Sequence, residues 1–151
     1  MGAMTEVWFY HLERTGLDQA LPELLEKTIQ KGWRALVRTG APERVEHLDG
    51  WLWSYKEDSF LPHGVANDPQ AARQPILITT GFENPNRADA LFLVDGADFG
   101  DLDGYQRCAV LFDGGDPEQL TRARRQWSAA KAQGLSVSYW KQMTRGWEKQ
   151  V

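Results

Sequence analysis

A single cysteine, Cys108, stands among 151 residues, so no internal disulfide can staple the chain, and its stability must come from a packed core. Cys108 opens the apolar run Cys108-Ala109-Val110-Leu111-Phe112 and reads as a small buried hydrophobe. The three histidines, His11, His47 and His63, have no partner at metal-ligand spacing, and one cysteine cannot supply a zinc site. His11 and His47 read as structural, and no metal is expected. The first strand-to-helix turn, Glu13-Arg14-Thr15-Gly16, lacks both the Gly-x-Gly-x-x-Gly of a dinucleotide site and the Gly-Lys-Ser/Thr of a phosphate loop. There is no Gly-x-Ser-x-Gly elbow, and the acidic pairs Glu57-Asp58 and Asp101/Asp103 are explained by loop solvation. Neither a catalytic residue nor a cofactor is therefore expected. No apolar run approaches the roughly 18 to 20 residues of a membrane span, and no basic-then-apolar signal segment is present, which points to a soluble, cytoplasmic protein without a membrane partner.

What is present is ordinary globular composition, 42% hydrophobic and 25% charged, with a length suited to one domain. Met1-Gly2-Ala3 ahead of Met4 reads as an expression scar, leaving 4–151 as a single α/β domain. The formal net charge is −4, which argues against a general nucleic-acid surface, and no direct nucleic-acid partner is expected. The distribution says more than the total. From Pro117 to Val151 there are seven Lys or Arg against two Glu, which reads either as a surface that meets an anionic partner or as a solvated helix face. Seven tryptophans imply either an aromatic core or a binding surface.

Periodicity predicts strands at Glu6 to Leu12, Trp33 to Arg38, Ile76 to Thr79, Ala90 to Val94, Arg107 to Phe112 and Ser136 to Trp140. Between them, Asp18 as N-cap and Gly32 as stop bound a first helix, and Pro42 opens a second. Asp116-Pro117 starts a third that runs to Gly134. The turn Asp113-Gly114-Gly115-Asp116 reads as a cap, since two aspartates would repel an anion. Strands that alternate with helices and are continuously apolar predict a three-layer α/β, Rossmann-like, mostly parallel sheet flanked by helices. The residues from Lys141 onward read as a tail.

Two places offer binding chemistry. The corner Leu52 to Gly64 holds Trp53, Phe60 and Leu61, with Pro62 barring regular structure; it reads either as a staple onto the core or as a recognition pocket. On the third helix Leu120, Ala123, Trp127 and Ala130 share a face, and Arg124 stands one turn before Trp127. Should the two places meet, they would form an apolar pocket with a positive lip. Such a pocket suits an acidic peptide with an aromatic end, its carboxylate taken by arginine and its acidic neighbours steered by Arg122 and Arg125.

Phe9-Tyr10-His11-Leu12, Gly32-Trp33-Arg34, Leu52-Trp53 with Ser59-Phe60-Leu61-Pro62-His63, Leu93-Val94-Asp95-Gly96, Val110-Leu111-Phe112-Asp113-Gly114, Ala123-Arg124 with Trp127, and Tyr139-Trp140-Lys141 follow one another over nearly the whole chain. In this order and spacing they resemble the chi subunit family of bacterial DNA polymerase III. The resemblance implies a non-catalytic clamp-loader accessory subunit with a Rossmann-like fold that binds no nucleotide. It implies, as partners, the acidic, Phe-ended C-terminal tail of single-stranded DNA-binding protein, a small psi subunit on a different surface, and a helicase-like repair protein. The family's peptide pocket carries over onto Trp53, Phe60, Arg124 and Trp127, with Leu120 and Arg122 beside them. Two other readings compete with it. The fold class alone would also permit a small nucleotide-using or hydrolytic enzyme, against which the missing phosphate loop speaks. Tryptophans stacking on single-stranded DNA would need a basic groove.

Overall fold

The computed structural model describes residues 5–55 and 61–151. In chain order the elements are β1 (Glu6–Leu12), α1 (Leu17–Gln30), β2 (Ala35–Thr39), α2 (Pro42–Ser54), β3 (Gly64–Val65), β4 (Ile76–Thr79), β5 (Ala90–Val94), β6 (Arg107–Asp113), α3 (Pro117–Ala132), β7 (Ser136–Gln142) and β8 (Trp147–Lys149). They form one sheet in the order β3-β4-β2-β5-β6-β1-β7-β8, parallel throughout except for the β7/β8 pair. The expected mostly parallel α/β sheet with helices on both faces is what the chain adopts.

Strands β2, β4 and β5 are buried at every position, as the continuous apolar runs require. Alternate residues divide the core in two. Ala35, Val37, Ile76, Ile78, Ala109 and Leu111 face α1 and α2, with Leu21, Leu25, Leu48 and Leu52 on those helices. Val7, Phe9, Leu36, Leu77, Cys108, Val110 and Phe112 face the other way, toward Ala123 and Ala130 of α3. Strand order explains the division. From β1 the chain moves through α1 and α2 toward the β3 edge, whereas from β6 it moves through α3 toward the β8 edge, so right-handed crossovers put α3 on the opposite face.

No helix joins β4 to β5 or β5 to β6. Ala97, Leu102 and Tyr105 of the connecting loops cover the α3 side instead. Arg38, 1% exposed, pins these loops: its Nε donates to Gly81 O at 2.8 Å and its Nη1 to Asp98 O and Phe99 O at 3.0 and 2.7 Å.

Several details differ from the sequence reading. The N-cap of α1 is Gly16, without a side-chain cap, because the Asp18 carboxylate is engaged by His47 Nε2 at 2.9 Å and Arg44 Nη2 at 3.5 Å. Asp116 does cap α3, accepting from the Glu118 and Gln119 amides at 3.0 and 3.4 Å. The second strand begins at Ala35 rather than Trp33. Beyond Lys141 the chain is not a simple tail, since β7 extends to Gln142 and a turn with Gly146 at φ 71° returns it as β8. Residues 1–4, which include the proposed scar, and 56–60, which include Phe60, lie outside the described residues.

Candidate functional site

The turn where a nucleotide-binding α/β protein would hold phosphate is occupied from within. The Gln142 Oε1 accepts from the backbone amides of Glu13, Arg14 and Thr15 at 3.0, 2.7 and 3.0 Å, and its Nε2 donates to Thr15 Oγ1 at 2.7 Å. Three amides that could face an anion are thereby satisfied by a neutral side chain only 9% exposed. Gln142→Ala would leave these donors without their acceptor and is expected to cost about 1–3 kcal/mol, measured as a fall in the urea midpoint. Among the described residues no group of three His, Cys, Asp or Glu is placed to hold a metal. Nor is any helix of the described residues long and apolar enough to cross a membrane.

On the α3 face a groove of about 620 Å³ runs between the helix and the edge of the sheet. Its floor is Phe112, Leu120, Ala123 and Trp127, with Tyr139 on its wall. The aromatic rings brace one another. Trp127 meets Phe9 edge-on at 5.3 Å and Tyr139 at 5.9 Å, and Tyr139 lies 6.1 Å from Phe112. Around this floor stand Arg124, Lys141 and His11. Arg124 is exposed and has no ion-pair partner among the described residues. Glu13 Oε1 lies 3.5 Å from Lys141 Nζ and 3.3 Å from His11 Nε2, while His11 Nδ1 is hydrogen-bonded to the Tyr139 hydroxyl. The result is an apolar trough rimmed by Arg124 and Lys141, with the Glu13 carboxylate shared between Lys141 and the His11 imidazole.

Of the residues singled out from sequence, Leu120, Arg124 and Trp127 come together in this groove. Arg122 does not face it: it lies with Arg125 on the neighbouring strip of α3, its guanidinium close over Gly96. Trp53 and Leu61 lie across the sheet. Leu61 is 4% exposed and belongs to the core under α1 and α2, and Trp53, 53% exposed, packs on His63 with ring centres 4.7 Å apart. Among the described residues, Trp53 and Leu61 therefore do not join Leu120, Arg124 and Trp127 in one pocket, because the crossovers from β2 and β6 leave the sheet on opposite faces. His63, read from sequence as part of that corner, is fastened down, its two ring nitrogens within 2.6 Å of Leu61 O and 3.0 Å of Asp49 O.

Sequence reasoning missed His11, Phe112, Tyr139 and Lys141. They come from three strands whose adjacency is set only by the fold: His11 pairs with Phe112 on one side and Lys141 on the other.

Burial holds the His11 imidazole below its usual pKa of 6.5, with Lys141 acting in the same direction and Glu13 and Asp113 opposing. The folded chain therefore binds fewer protons than the unfolded chain as pH falls through 6.5. This stabilisation is complete above that value and is lost toward the lower folded pKa. Urea midpoints should decline as pH drops through this window, and His11→Gln should flatten the decline. Burial likewise raises the Tyr139 hydroxyl, with Arg124 lowering it in part.

Fold and groove together define an α/β protein of Rossmann-like architecture that carries a basic, aromatic trough on one face. Residues 4–138 match the family described as DNA polymerase III chi subunit, HolC, and the chain belongs to that family. It is 34% identical over 95 residues to a probable DNA polymerase III subunit chi of Rickettsia prowazekii, a match covering 63% of this chain and 58% of the relative's length. It is 27% identical over 111 residues to the DNA polymerase III subunit chi of Pseudomonas aeruginosa, covering 72% of this chain and 77% of that one.

Proposed function

We propose that this chain is a non-catalytic accessory subunit of the bacterial DNA polymerase III assembly, and that the α3 groove grips the acidic, Phe-ended C-terminal tail of single-stranded DNA-binding protein. The observation that supports this reading is the placement of Arg124 and Lys141 beside an apolar floor built from Phe112, Leu120 and Trp127. A terminal phenyl ring would lie on that floor, and its carboxylate would meet Arg124. Acidic residues upstream would be drawn along α3 by Arg122 and Arg125, which steer approach more than they hold the complex. With the peptide on this face, the α2 face is free for a psi subunit or a helicase-like repair protein, which would link the tail to the clamp loader.

Calorimetric titration with a short acidic peptide ending in phenylalanine tests the reading. The expected affinity is micromolar, about 6–8 kcal/mol, and it weakens as salt is added. Amidating the peptide's C-terminus should remove most of the affinity. Absence of binding, or binding indifferent to the terminal carboxylate, would overturn the assignment.

A further inference from the structure

Six of the seven tryptophans have no part in the groove, and four of the six gather on the other face. Trp8, Trp33, Trp140 and Trp147 surround a second cavity of about 320 Å³ on the α1 face, near the ends where β2, β5 and β6 begin. These are the strand ends opposite the carboxyl ends at which ligands of α/β folds ordinarily sit. Lys27 from the last turn of α1, Lys31 at its C-cap and Arg107 from the start of β6 join the lining, and no lining residue among the described ones is acidic. Residues 140, 146 and 147 of this lining lie beyond the segment matched by the family.

The cations are held against rings. The Arg107 Cζ lies 3.7 Å from the centre of the Trp8 ring and 5.2 Å from that of Trp33, and Lys31 Nζ lies 4.0 Å over Trp33. Trp8 is stacked on Trp140 with centres 4.8 Å apart, and Trp147 meets Tyr10 edge-on at 4.9 Å. Charge compensation is thin. Among the described residues Arg107 has only Glu6 at 3.8 Å, its Nε is buried without an acceptor, and neither lysine has an ion-pair partner. Three positive groups drawn together against apolar walls favour an anion, and a volume near the lower end of the ~300–1,000 Å³ typical of ligand cavities suits one ring system. A peptide would bring backbone amides for which indole and alkyl walls offer few acceptors. A nucleotide brings a flat base with a phosphate on either side.

We propose that this chamber binds single-stranded nucleic acid, with one base among the indoles and its flanking phosphates on Lys27, Lys31 and Arg107. The acidity of the whole chain excludes a general nucleic-acid surface, and the chamber is instead a local site a few phosphates long.

The test is fluorescence anisotropy of a labelled oligothymidylate about 10 nucleotides long, the range of a single-strand site, with the intact protein at low salt. Binding is expected to show a log–log salt slope of about −2, the value for three phosphates at about −0.7 each. Reversing both exposed lysines, as Lys27→Glu with Lys31→Glu, should weaken binding by about 30-fold or more while the urea transition stays cooperative and the protein folded. Trp33→Ala should weaken it by about 10-fold, as loss of a stacking surface does. The acidic peptide of the α3 groove should not displace the strand. Failure of the oligonucleotide to bind, binding insensitive to the lysine reversals, or displacement by that peptide would each overturn the proposal. The first two outcomes leave peptide binding untouched, and calorimetric titration of the peptide alone separates the third from a failure of the α3 groove.

Discussion

Arg124→Glu is expected to abolish measurable binding of the acidic tail peptide, weakening it by at least about 100-fold. Loss of a charge-assisted contact costs about 1.5–3 kcal/mol, which is roughly 10- to 150-fold in affinity. Reversal adds repulsion between the new carboxylate and the peptide's own. The substitution falls on an exposed helix position, so unfolding free energy should stay within about 0.5 kcal/mol of the parent. Two companions locate the peptide. Arg122→Glu, on the neighbouring strip of α3, should lower affinity only a few-fold, chiefly through the association rate. Trp53→Ala, across the sheet, should leave the titration unchanged. If Trp53→Ala eliminated binding and Arg124→Glu did not, the peptide would belong to the α2 face and the proposed groove would be wrong.

Phe9→Ala is expected to be the most damaging single truncation beneath the groove. Phe9 is fully buried in β1, the strand between β6 and β7, and it supports the Trp127 indole edge-on. Removing a buried phenyl ring costs about 3–5 kcal/mol. For a chain of this size each kcal/mol lowers the melting temperature by about 2–4 °C, so a fall of about 6–20 °C should be seen. The urea midpoint should move without a change in m. Because the cavity opens under the groove floor, peptide affinity should fall as well. Phe9→Leu, which retains most of the volume, should recover most of both. Normal stability in Phe9→Ala would mean that the floor is not braced as described.

The sheet, its mostly parallel sense and all three helices were legible from periodicity and caps, because Pro42, Asp116-Pro117 and Gly134 act within a few residues of themselves. β3 and β8 escaped notice because two and three residues hold too little alternation to show. The groove was legible only where it is helical. Leu120, Arg124 and Trp127 sit three and four residues apart on α3, so spacing alone groups them. His11 could have been suspected, since it follows Val7 and Phe9 at every second position and so shares their face. Nothing local, however, announces that β1 lies between β6 and β7. The same missing fact misplaced Trp53: its distance from α3 depends on which edge of the sheet each crossover travels toward, and that is a property of strand order.

Strand β7 sends Tyr139 and Lys141 to the trough while Trp140 faces the chamber, so sliding the strand by one residue would exchange the equipment of the two faces. The amide of Gln142 works as a detent against that slip. By gripping three consecutive peptide groups of the β1–α1 turn it fixes the phase of β7, and thus one uncharged side chain keeps the trough and the chamber supplied with their own residues.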